Sequence, residues 1–301
     1  MNLPVDSSAR QAAALLARRR DLIEAALHRY LQPADDIPAP LAEAMRYSVF
    51  AGGKRFRPAL LLACSQACGG SVERALPAAA ALECAHTFSL IHDDLPAMDD
   101  DDLRRGKPTS HRVFGEAMAI LAGDALLALA FEILAAQPNQ PALAARLSGE
   151  LASAVGWGGM IGGQAADLLG QHQNPTPQRV QYIHRRKTAR LIQCACRMGA
   201  MIADADAPRL NALSRYGLEL GLAFQIVDDL LDATSSSQAA GKRTGKDSPA
   251  GKQTYPRVVG IQRSRAAAAS AVDSAINALA PLGPQAEELI LLARFVLERA
   301  S

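Results

Sequence analysis

"AMAILAGDALLALAFEILAA", Ala117 to Ala136, is the most apolar stretch of the chain and has the length of a membrane span. It also carries Asp124 and Glu132, each costing about 2.5 to 3.5 kcal/mol near a bilayer centre. The stretch is therefore expected to be a buried helix of a soluble bundle, without stable membrane insertion. Ala, Leu, Glu, Gln and Arg dominate on either side of it, apolar residues recur at helical spacing, and β-branched alternation is scarce. The fold class is all-α: a single-domain bundle of about ten or more helices around a central cavity. Breakers stand at "LQPADDIPAP" (31–40), "ACGGS" (67–71), "AAQPNQP" (135–141), "HQNPTP" (172–177) and "PLGP" (281–284). None is long enough to link two domains, so 1–301 reads as one. The polar run from Thr234 to Pro256 is expected to be a mobile surface loop, centred on 235–252.

The 301 residues are 49% hydrophobic and 21% charged, with a net charge of +2. That balance is soluble and globular, and it disfavours nucleic acid as a partner. Five cysteines without a CxxC pair fit a reduced, cytoplasmic chain. The first twenty residues lack a continuous apolar core and a cleavage site, and read as an amphipathic helix rather than a secretory signal.

Charge is concentrated locally. Between Asp93 and Asp102 stand six aspartates, followed by Arg104, Arg105 and Lys107. At about 6 Å and an effective dielectric of about 20, each carboxylate pair repels by roughly 3 kcal/mol. A bound cation would offset this. Pro96 is expected to end or kink the helix that carries Asp93 and Asp94, letting Asp99 swing back toward them. A second cluster, "FQIVDDLLD", sets Asp228 and Asp232 four apart on one helical face in an apolar run. Both clusters follow long apolar segments, so two neighbouring helices would bring them to one end of a bundle cavity. Oxygen-only ligands favour Mg²⁺, which bridges to substrate phosphate, and the nearby arginines suit phosphate oxygens. An EF-hand fails because the fifth position from Asp99 is Leu103. A Walker loop fails on its glycine spacing.

"AGGKRFRP", "HDDLPAMDDDDLRRGKPT", "GGQAADL", "HRRKTA", "AFQIVDDLLD", "GKRTGKD" and "KQTYP" occur in the order found in short-chain trans-prenyl diphosphate synthases. The sequence resembles that family, most closely its bacterial farnesyl diphosphate synthases, and the resemblance implies the isoprenoid synthase fold. It implies three Mg²⁺, with Mn²⁺ as a possible substitute, on Asp93, Asp94, Asp99, Asp228 and Asp232. It assigns Arg104, Lys187, Lys242 and Lys252 to the allylic diphosphate (dimethylallyl or geranyl), with Thr188 and Gln225 beside it. Gly53, Lys54, Arg57, His86 and Arg105 match the site for isopentenyl diphosphate. Gln164, Asp167 and Arg299 are weaker candidates. A homodimer is implied as well.

Phe88, five residues before Asp93 and so about 7.5 Å lower on a helix, resembles the floor that limits product length, with the small Ser89 beside it. A fifteen-carbon product is expected. Geranylgeranyl or geranyl diphosphate synthesis is the nearest alternative, and a class I terpene cyclase or a silent regulatory subunit is more remote.

Overall fold

A computed structural model describes residues 5–136, 140–171, 173–234 and 254–299. The chain opens with α1 (Val5–Tyr30), α2 (Ala39–Val49), α3 (Phe56–Ala67) and α4 (Val72–Asp93). A two-residue hairpin, β1 (Leu103–Arg104) with β2 (Lys107–Pro108), precedes α5 (Ser110–Phe114) and α6 (Glu116–Ala135). Then come α7 (Pro141–Val155), α8 (Met160–Gly170), α9 (Pro177–His184), a π turn at Arg185–Ala189, α10 (Arg190–Ile202) and α11 (Ala207–Thr234). The short α12 (Tyr255–Val259), α13 (Ile261–Ala278), a 3₁₀ segment at Ala280–Ala286 and α14 (Glu287–Glu298) complete the described fold. The all-α expectation holds. Of the expected surface loop, 235–253 lies outside the described residues, and Lys242 and Lys252 with it, while its two ends are helical: Thr234 closes α11, and Tyr255 and Pro256 open α12.

α4 begins and ends where local chemistry dictates. Ser71 caps α4 by accepting a hydrogen bond from the Arg74 amide at 3.2 Å, with Glu73 in the first turn. The run Ala78 to Ala81 in α4 is fully buried, and such small side chains let neighbouring helices approach closely. α4 stops at Asp93, three residues before Pro96, whose ring is incompatible with the preceding helical turn. The chain then folds back: the Asp99 amide donates to the Asp93 carbonyl at 2.9 Å, and that of Asp101 to Asp94 at 3.2 Å. The expected return of Asp99 toward the first pair is observed.

α3 packs between α4 and α10, α10 against α11, and α11 against α13. One apolar cluster runs through these layers from Leu15 to Val296. Fully buried leucines such as Leu60, Leu82 and Leu126 each contribute about 1.5 to 3 kcal/mol. The opening stretch forms α6, which packs on α4, but the burial is one-sided. Ala119, Ala122, Leu126, Ala130 and Leu134 face the core, whereas Ile120 and Leu121 are 43% and 53% exposed. Composition shows that a helix is apolar; it does not show how much of that surface the fold covers.

Candidate active site

The C-terminal part of α4, α8, the π turn and the C-terminal half of α11 surround a cavity of about 860 Å³. Asp93 and Asp99 line it from the α4 side, and Asp228, Asp229 and Asp232 from α11. Both acidic clusters therefore meet at one site. Arg57, His86, Phe88, Ser89, Arg104, Arg105, Lys187, Thr188 and Gln225 line it too. Gly53, Lys54 and Asp94 do not form part of its lining.

Asp94 is buried and turned toward Arg104, whose Nε donates to both carboxylate oxygens at 2.9 and 2.8 Å, and whose Nη2 donates at 2.5 Å. This is the planar, forked geometry that guanidinium provides and ammonium does not. Burial raises the pKa of Asp93, and the neighbouring Asp99 and Asp94 raise it further against the opposing Lys187. Such an environment favours a proton or another cation at Asp93.

The π turn, a form often found where function interrupts a helix, presents Lys187 and Thr188 to the cavity. It lies so close to α8 that a side chain at Gly163 would stand 2.3 Å from the Lys187 amide nitrogen. That contact brings Lys187 Nζ to 2.8 Å from Asp167 Oδ2. Burial alone would lower the lysine pKa, but Asp167, Asp93 and Asp99 outweigh it and hold the value above the ordinary range.

Thr188 donates its hydroxyl to Gln225 Oε1 at 2.6 Å, and Gln225 Nε2 donates to Asp229 Oδ1 at 3.1 Å. The second Asp229 oxygen accepts from the Tyr255 amide at 2.9 Å and stands 3.3 Å from His184 Nε2. His184 is buried, and burial followed by Lys187 lowers its pKa to about 3, so it is neutral. Asp229 and His184 were missed as site residues because the four-residue spacing singled out Asp228 and Asp232. The long-range contacts of Asp229 to α9 and α12 leave no periodic trace.

Among the basic groups, His86 is kept neutral by burial and by Arg57 and Arg105, and its Nε2 lies 3.3 Å from Arg57 Nη1. Arg57 Nε and Arg299 Nη1 are buried without a hydrogen-bond partner. These donors border the same cavity, a combination suited to an anion. Arg299 also donates to Asp228 Oδ1 at 2.8 Å, and its guanidinium lies 4.6 Å from the Phe224 ring centroid. Lys54 Nζ sits 5.0 Å from the Phe295 ring, with its pKa lowered by burial and by Arg299. Beside it, Arg55 adopts a left-handed φ of 49° at the N-cap of α3 and is locked by Glu83 at 2.7 Å and the Val49 carbonyl at 2.6 Å. The Arg105 guanidinium donates to the Gly52 carbonyl and abuts Gly53.

Among the described residues, no group of three or more carboxylate, histidine or cysteine side chains is gathered at metal-ligand spacing. Mg²⁺ needs no such cage, because it keeps waters and takes one or two carboxylates together with substrate phosphate. The oxygen-only donors on facing walls, and the raised pKa of Asp93, fit that cation.

A helical bundle that gathers carboxylates, guanidinium groups and aromatic side chains into one cavity is built like the all-α isoprenyl synthases. The chain belongs to the polyprenyl synthetase family, which it matches over residues 38–282, and it is a trans-prenyl diphosphate synthase, an enzyme of the trans-prenyltransferase class. It is 45% identical to the farnesyl diphosphate synthase of Geobacillus stearothermophilus, over 86% of this chain and 88% of that one. It is 47% identical to geranylgeranyl pyrophosphate synthase 12 (chloroplastic) of Arabidopsis thaliana, over 83% and 71%. The structure of a geranyltransferase from Helicobacter pylori, complexed with magnesium and isoprenyl diphosphate, is 31% identical with a TM-score of 0.84, covering 97% of each chain.

Proposed function

We propose that the protein is a Mg²⁺-dependent farnesyl diphosphate synthase. It condenses isopentenyl diphosphate with dimethylallyl and then geranyl diphosphate to give (2E,6E)-farnesyl diphosphate. The observation that carries the reading is one cavity lined by two aspartate clusters, by basic side chains and, five residues down α4 from Asp93, by the buried ring of Phe88.

In this reading Asp93, Asp99, Asp228 and Asp232 hold Mg²⁺, which supplies positive charge against the departing diphosphate. Asp94 serves the same site by fixing Arg104. Arg104 and Lys187 meet the allylic diphosphate, together with Lys242 and Lys252 from outside the described residues. Lys54, Arg57 and Arg105 seat isopentenyl diphosphate beside neutral His86, with Gly53 giving its backbone room at their edge. Thr188 and Gln225, hydrogen-bonded to each other on the cavity wall, stand beside the allylic diphosphate. The alkene attacks the allylic cation and a proton leaves, to the released diphosphate. Apolar walls keep water from intercepting the cation.

Phe88, with small Ser89 beside it, halts growth at fifteen carbons. Similarity to the Arabidopsis geranylgeranyl synthase supports a twenty-carbon product as the second reading. Exposed Val113, Ile120 and Leu121 on α5 and α6 support a homodimer through that face. The five cysteines are all free thiols, which supports a reducing, cytoplasmic setting.

Incubation with isopentenyl and geranyl diphosphates, with Mg²⁺ or chelator, tests the reading once the products are dephosphorylated and sized by mass spectrometry. The expected result is a Mg²⁺-dependent fifteen-carbon all-trans alcohol. A twenty-carbon product selects the second reading, and no condensation by folded protein overturns both.

A further inference from the structure

His92 stands one helical turn from Phe88 on the same face of α4, and both line the cavity. Their rings meet edge to face, with centroids 5.6 Å apart and an interplanar angle of 89°. The imidazole does not stand upright in the cavity. Its Nε2 donates to the Ile120 carbonyl on α6 at 3.1 Å, with Asp124 Oδ1 at 3.8 Å. The ring lies against the one residue there that leaves it room. A Cβ on Gly123 would be 2.3 Å from Nε2 and 2.6 Å from Cδ2, so no L side chain fits at that position while the ring keeps its place.

We infer that His92, seated in the space left open by Gly123, is a second specificity-determining residue for product length. It closes the wall between α4 and α6 and holds the Phe88 ring in position from the side. The inference rests on the reading of Phe88 as the floor. A chain growing past Ser89 meets Phe88 ahead and His92 at its flank. The edge-to-face contact sets the imidazole against one side of the Phe88 ring.

Two variants pull in opposite directions. His92→Ala empties the flank and frees the Phe88 ring, so product shifts from fifteen toward twenty carbons. Gly123→Ala drives the imidazole out of its berth into the cavity, so ten-carbon product accumulates. Both are assayed with isopentenyl and dimethylallyl diphosphates beside wild type and Phe88→Ala, with circular dichroism to confirm folding. Opposite shifts in the two variants support the inference. A wild-type profile in His92→Ala, or shifts of both variants in one direction, overturns it while Phe88→Ala still lengthens the product. A Phe88→Ala protein with the wild-type profile removes the floor and this inference together, whereas wild-type protein without prenyl product removes the reading of function. Should Gly123→Ala fail to fold, His92→Ala decides alone.

Discussion

Asp94 and Arg104 form a nearly buried pair in which the carboxylate has both oxygens engaged. Losing one partner strands the other charge, at a cost of about 3 kcal/mol, the lower end for buried pairs because a quarter of the Arg104 side chain is exposed. Asp94→Ala should therefore lower the unfolding midpoint as well as activity. The double variant Asp94→Leu with Arg104→Met should regain most of the midpoint without regaining turnover, since it lacks the guanidinium proposed to meet the diphosphate. Thermal unfolding and kcat measured on the same preparations separate the two effects. If the double variant regains activity, Arg104 has no direct role. Sequence spacing made Asp94 equivalent to Asp93. The helix end at Asp93 makes them different, because it turns adjacent side chains to opposite sides of the wall.

α4 carries Phe88 and His86 and ends at Asp93, all three on the cavity lining, so its two ends have different surroundings. Its N-terminus is held by the Ser71 cap, far along the helix from the cavity. Ser71→Ala should cost about 1 kcal/mol and lower the midpoint by about 2 °C in a chain of this size. KM and kcat should stay at wild-type values; a loss of activity without a shift in midpoint would contradict the separation. Its C-terminus was readable in advance from Pro96. The π turn was not, because "HRRKTA" has ordinary helical propensity. That turn is where α8 comes closest, with Gly163 against the backbone at Lys187.

Across the whole molecule, buried neutral histidine makes stability depend on pH. The unfolded His184 pKa is about 6.5, and the folded value is about 3. Between these values the unfolded chain binds more protons, so the contribution is complete above pH 6.5 and is lost as pH falls toward 3. At pH 5 the loss from His184 is about 2 kcal/mol. The unfolding midpoint of wild type should fall more steeply from pH 7 to pH 5 than that of His184→Gln, and parallel curves would refute the assignment. Ile120 and Leu121 on α6 are exposed and belong to the face of the proposed homodimer. On that proposal wild type should have the mass of a dimer in light scattering and Leu121→Glu that of a monomer; a dimeric variant would place the interface elsewhere, and a monomeric wild type would remove the dimer.

The sequence by itself determined the all-α class, the helix ends that lie at its proline- and glycine-rich breakers, the two aspartate clusters and the aromatic before the first of them. Each is local: periodicity, breakers and spacing on one helix suffice. Only the tertiary structure decided that Asp94 faces Arg104 and that Asp229 gathers Gln225, His184 and the start of α12. It also decided that α6 covers one face and leaves the other open, and that Gly123 makes room for His92. Those outcomes depend on which helices come into contact and how closely, and the close packing of side chains from distant segments settles that without leaving a pattern along the chain.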